Sequence, residues 1–228
     1  MKRTNTLLAL AVAAAALPLA APAANADDVP AGRQAVYRVS VEGTWTTTGV
    51  AVSREGTVLT AASILSHCPA QGDCRIWVEA PEPDRDLWYR ATLAATDHVT
   101  GLAVLRTAAL PSAVRLAARA ARPGEPLHAY SYDGNDVQFL AGNVRSVSRV
   151  SYPGDPPTSG NGLLASIACP NGAAGTGLVA TADDALLGIM YGTTDDGDTI
   201  AVPSATVRAF LDARRIPYDG APRRRAHR

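Results

Sequence analysis

Across residues 36–193 the chain consists largely of short runs of β-branched and other apolar residues, each soon closed by turn-forming residues. VYRVSVEG (36–43), TTTGVAVS (46–53), TVLTAASIL (57–65), RIWVEA (75–80), LWYRATLAAT (87–96) and GLAVLRT (101–107) form a first group. PLHAYSYD (126–133), VQFLAGNVRSVSRV (137–150), GLLASIAC (162–169), GLVATAD (177–183) and ALLGIMYGT (185–193) form a second. Alternation along such runs buries one face of each, and turns at short intervals predict an all-β sandwich or a pair of barrels. The connection LPSAVRLAARAARPGEP (110–126) separates the two groups. One helix is expected, over 204–215: Pro203-Ser204 opens it with Ser204 as N-cap, and ATVRAFLDARR carries apolar residues at helical spacing. The last stretch, DGAPRRRAHR (219–228), reads as a flexible basic tail.

The N-terminus has a different character. Lys2 and Arg3 precede an apolar run over 7–21, and Ala24-Asn25-Ala26 ends it. A basic start, a short apolar core and a small-x-small end predict a secretory signal peptide, 1–26, cleaved after Ala26. The run is too short, and too interrupted by proline, for a membrane span. The expected product is a secreted, extracellular, monomeric protein with one folded unit over 27–218, about 200 residues, enough to bury a real core. Without Lys2 and Arg3, acidic side chains exceed basic ones by two. That balance argues against nucleic acid as a partner.

Export permits a disulfide, and the chain has three cysteines. Three pairings exist on paper. The turn-rich PAQGD between Cys68 and Cys74 favours that pair and leaves Cys169 as a small buried thiol.

Three segments carry the functional question: TGVAVSREGTVLTAAS (48–63), DHVTGLAVLR (97–106) and GAAGTGL (172–178). In this order, and with GIMYG (188–192) and IAVPSATVRAFLDARRIPY (200–218) behind them, they resemble the trypsin-like (chymotrypsin-fold) serine proteases. The likeness is strongest to the bacterial secreted chaperone-protease-like branch, and it covers about 33–218. The resemblance implies two six-stranded antiparallel β-barrels with a C-terminal helix. The N-barrel would span about 33–110 and the C-barrel about 124–203, with the site between them. It also implies which positions would carry the chemistry. Where the family has Thr-Ala-Ala-His, Thr60-Ala61-Ala62 is followed by Ser63. The Asp position holds Gly101, and the nucleophile position holds Ala174. Gly172, Ala173 and Ala174 would form the oxyanion loop.

Acyl transfer needs a hydroxyl nucleophile, an imidazole to take its proton and a carboxylate to orient the imidazole. Ala174 has no nucleophilic atom, Ser63 is no base at neutral pH, and Gly101 has no side chain. The backbone amides of Gly172 and Ala174 would at best sustain very slow hydrolysis. Substitutes exist on paper: His67 or His98 as displaced base, Thr176 or Ser166 as nucleophile. Catalytic geometry is too demanding for such displacements to serve readily. His67, Cys68 and Cys74 lack a fourth zinc ligand. Asp195, Asp196 and Asp198 lack the later bidentate Glu of a calcium loop. No metal and no cofactor is expected. Arg223, Arg224, Arg225, His227 and Arg228 make a small basic end that is solvated or touches an acidic polymer or the cell envelope. The sequence therefore predicts an inactive protease homologue that binds a peptide or protein in the interbarrel cleft or at a sheet edge. Against it stand an active secreted endopeptidase with a rebuilt site and an envelope-associated structural protein.

Overall fold

Thirteen strands and two helices account for most of the residues described in the computed structural model, which are 31–80, 87–134, 136–152, 158–170 and 173–221. The signal segment, Gly172 and the tail arginines lie outside them. The first six strands are β1 (Val36–Val41), β2 (Trp45–Ser53), β3 (Thr57–Ala61), β4 (Ile76–Glu79), β5 (Trp88–Asp97) and β6 (Leu102–Arg106). They close into an antiparallel barrel in the order β1-β2-β3-β6-β5-β4. Tyr37, Val39, Val58, Ile76, Val78 and Leu105 fill it. After β7 (Arg115–Leu116) come β8 (Pro126–Asp133), β9 (Asp136–Tyr152), β10 (Thr158–Ala165), β11 (Gly177–Ala180), β12 (Ala185–Thr193) and β13 (Thr199–Pro203). They form a second ring, β11-β8-β9-β10-β13-β12, closed by the β11–β12 pairing; β7 adds to β12 in parallel. Closure removes the unpaired edges an open sheet would leave. The expected fold class, two six-stranded barrels and a C-terminal helix, is the one observed.

A third apolar cluster joins the barrels. Val50, Leu59, Leu102 and Val104 from the first meet Leu186, Ile189 and Val202 from the second. The helix α2 (Ser204–Ala213) closes this seam with Val207, Phe210 and Leu211, all buried. Hydroxyls complete it. The Tyr132 backbone N–H donates to Thr48 Oγ1 at 3.0 Å, Thr48 Oγ1 lies 3.3 Å from Ser131 Oγ, and Thr176 Oγ1 donates to Ser131 at 3.0 Å. All three hydroxyl residues are fully buried. Polar groups so deep must pair with one another, which fixes β2 against β8 more specifically than apolar contact does.

The structure corrects several local expectations. TVLTAASIL is a strand only to Ala61, and Ala62–His67 winds into a 3-10 turn leading to the disulfide. The run expected at 162–169 pairs over Thr158–Ala165. The chain leaves the ladder there, at a register shift, and Ser166 turns to bond the Asn143 backbone. Ser204 does not cap α2: its hydroxyl donates to the Ala117 carbonyl, and Pro203 is the capping position. The helix stops at Ala213, because Arg215 takes a left-handed φ of 58° and the Ile216 amide turns back to Leu211. Two short elements, β7 and a four-residue helix α1 (Ala31–Gln34), were not anticipated. Cys68 and Cys74 are bonded, with Cα atoms 5.2 Å apart. Cys169 is half-buried rather than buried, and desolvation raises its thiol pKa. Among the described residues, no helix is long and apolar enough to cross a membrane.

Replacing Thr48 by Val leaves the buried Tyr132 amide without its acceptor. The expected cost is about 1–3 kcal/mol, at roughly 2–4 °C of Tm per kcal/mol in a domain this size. Thermal melts should show Thr48→Val several degrees below the native protein and Thr48→Ser close to it.

Candidate functional site

The β2–β3 hairpin runs its apolar residues into the seam and delivers Thr60 and Ala61 to the boundary between the barrels. Beyond Ala61 the chain turns away, which leaves Ser63 exposed on the 3-10 turn. The second segment approaches from β5. Asp97 organises a tight turn: its carboxylate accepts the Val99 amide (3.1 Å) and the Thr100 hydroxyl (2.7 Å), and its carbonyl accepts the Gly101 amide (2.8 Å). Gly101 closes the turn at φ 71°, where a side chain would meet nothing within 4 Å but the backbone favours glycine. Its carbonyl accepts the Ala62 amide at 2.7 Å, which holds the Ser63 and Gly101 segments together.

The third segment is folded tightly onto these. Thr176 N–H donates to the Ala173 carbonyl (3.0 Å), Gly175 N–H to Met190 (2.8 Å), and Met190 N–H to Thr176 (2.8 Å). Thr47 Oγ1 donates to the Ala174 carbonyl at 2.5 Å. Gly175 has φ 92°, and a β-carbon there would lie 2.1 Å from the Thr48 carbonyl oxygen and 2.7 Å from Thr60 Oγ1. Only a glycine allows the loop to sit this close to the hairpin. Ala173 is buried and Ala174 half-buried, and the Ala174 N–H donates to no described residue. Segments more than a hundred residues apart in sequence thus lie together: Ala62 bonds Gly101, and Gly175 packs on Thr48 and Thr60.

The proposed substitutes are engaged elsewhere. Thr176 is fully buried in the hydroxyl cluster. Ser166 holds the Asn143 backbone. His67 stacks on Trp45, ring centroids 3.7 Å apart and planes within 9°. His98 does approach a hydroxyl, that of Thr96 at 3.3 Å, but on an exposed turn whose carboxylate, Asp97, is committed to its own loop. Asp198 pairs with Arg145 at 3.6 Å beside a turn closed by Thr194.

Sequence reasoning missed one feature of the rim. Trp45, 51% exposed, points to the same face of β2 as Thr47, which touches Ala174. The i, i+2 spacing carried that signal, but nothing local marked Trp45 as more than a strand end. Two surface hollows, of about 460 and 540 Å³, lie elsewhere, against α2 and at the 119–125 turn.

A family model described as a trypsin-like peptidase domain matches residues 47–189, more than half of the chain. A search of curated proteins finds no match. Among solved structures, the Rv3671c protease from M. tuberculosis in its active form is similar, with 20% identity, a TM-score of 0.69 and 97% of each chain covered. The MamO protease domain from Magnetospirillum magneticum has 20% identity and a TM-score of 0.66, over 79% of this chain and 97% of that one. The serine endoprotease from Yersinia pestis has 21% identity and a TM-score of 0.65, over 80% of this chain and 63% of that one. Identities this low speak to the fold.

The contact at Gly175 is directly testable. Gly175→Ala forces a methyl group into the Thr48 backbone and should cost more than the roughly 1 kcal/mol of an unfavourable φ alone. Chemical denaturation should place it well below Ala174→Ser, which adds one hydroxyl at a half-buried position; equal stabilities would contradict the packing described.

Proposed function

The chain belongs to the trypsin-like peptidase family, and on that premise we propose that it is a secreted pseudoprotease, which binds a peptide or protein without cleaving it. One observation supports this reading: the three segments lie together, and the family resemblance assigns Ser63, Gly101 and Ala174 to the roles of base, carboxylate and nucleophile. A missing nucleophile alone would be one lost atom. Three empty roles leave no proton acceptor, no orienter and no atom to acylate, and such losses reduce hydrolysis to what backbone amides alone can give.

The binding half of the proposal rests on what the loop retains. The Ala174 amide is unbonded among the described residues, and Trp45, on the same face of β2 as the Thr47 that bonds the Ala174 carbonyl, is half exposed. Backbone pairing and side-chain pockets suffice to hold an extended peptide and need none of the triad. Aromatic surfaces are favoured where proteins meet partners. Export follows from the basic–apolar–small pattern of residues 1–26.

Two measurements on the purified chain without residues 1–26 test the proposal. A serine-reactive fluorophosphonate should leave it unlabelled, and immobilised protein should retain a saturable subset of a peptide library. Labelling that vanishes in Thr176→Ala would overturn the first half, and absence of any saturable binding the second.

A further inference from the structure

The N-terminal segment straddles the two barrels. β1 belongs to the first, whereas α1, immediately before it, packs on β8 of the second. Between them the Ala35 carbonyl accepts the Ala51 amide at 2.8 Å. The seat of α1 is His128. A β-carbon on Gly32 would lie 3.2 Å from His128 Nε2 and 3.7 Å from the Val179 methyl groups, so the helix backbone rests directly on the imidazole. His128 is 7% exposed, with Tyr130 edge-on at 5.7 Å and Phe139 stacked at 6.0 Å. Its Nε2 is buried and finds no hydrogen-bond partner among the described residues.

A neutral imidazole fills such a niche as an apolar ring would, at the cost of one unsatisfied nitrogen. A protonated one would place a charge and an unpaired donor beneath a helix backbone, which is far more costly. The surroundings offer little relief. α1 contributes the cation Arg33, β8 the phenol Tyr130, and β9 and β11 the uncharged Phe139 and Val179. In the β11–β12 turn, Asp184 favours the cation, while Asp183 is paired with Arg119 at 3.4 Å. Burial outweighs Asp184 and draws the His128 pKa below its ordinary value.

We propose that His128 is a pH-sensitive clip for the N-terminal segment: neutral, it holds α1 on β8; protonated, it releases α1 and uncovers the imidazole. The direction follows from linkage. The released imidazole, with its ordinary pKa of about 6.5, binds protons more readily than the docked one. Docking is therefore complete above that pH and weakens as pH falls below it, by up to about tenfold per pH unit until the docked form also titrates.

Amide NMR of the purified chain without residues 1–26, followed from pH 7.5 to 4.5, reads the clip directly. Signals of residues 31–35 should shift together toward unstructured values, with the same midpoint as the His128 imidazole, while β1 stays unchanged. His128→Phe should keep α1 docked throughout. Asp184→Asn, which removes the carboxylate that steadies the protonated imidazole in the docked state, should make release set in at higher pH and serves if His128→Phe does not fold. The proposal fails if residues 31–35 do not respond to pH, if His128→Phe responds as the native chain does, or if Asp184→Asn leaves the midpoint where it was.

Discussion

The contact on which the rest depends is the one between Gly175 and the Thr48 carbonyl. It is where the second barrel's loop presses into the first barrel's hairpin, with too little room for even a methyl group. Around it the hydroxyls of Thr48, Ser131 and Thr176 satisfy one another and the Tyr132 amide, and the apolar seam of Leu59, Leu186 and Ile189 continues beneath. Neither barrel can shift against the other without opening that buried polar cluster, whose members have no water to turn to. The relative position of three distant segments is thus a property of packing, and it survives whether or not the segments carry reactive side chains.

This separation of scaffold from chemistry lets a trypsin-like fold stand whatever side chains occupy its three segments. The Asp97 turn, the Ala62–Gly101 hydrogen bond and the Met190–loop pairing are backbone features. Gly101 closes its turn at a left-handed φ that most side chains adopt only with strain. Ser63 points to solvent from a turn braced by the Cys68–Cys74 bridge. On the proposed function, this packing leaves the unbonded Ala174 amide available to an extended chain.

Much of this was legible in the sequence because the strands declare themselves by alternation and the three motifs by their order. Tyr37, Val39 and Val41, or Leu102 and Val104, mark their buried faces without help from elsewhere in the chain. What escaped has a common cause: the deciding contact is made by residues far away. Thr60-Ala61-Ala62-Ser63-Ile64-Leu65 reads as one apolar strand, and only the Gly101 carbonyl and the disulfide show that it bends after Ala61. Ser204 has every local mark of a helix cap, yet Ala117, 87 residues earlier, takes its hydroxyl. α1 and β7 are too short for any periodicity to appear, and both exist because β8 and β12 offer them a partner. At the candidate site, the stacking of Trp45 on His67 was not legible, because it joins a strand end to a turn.

The central claim is that binding has outlived cleavage. It is tested most directly by incubating the purified chain with a defined peptide mixture for days and reading both the retained and the free fractions by mass spectrometry. The expected result is a retained subset whose every member keeps its full length, and a free fraction no more degraded than in buffer alone. Accumulation of cleavage products that tracks the amount of protein added would contradict the account.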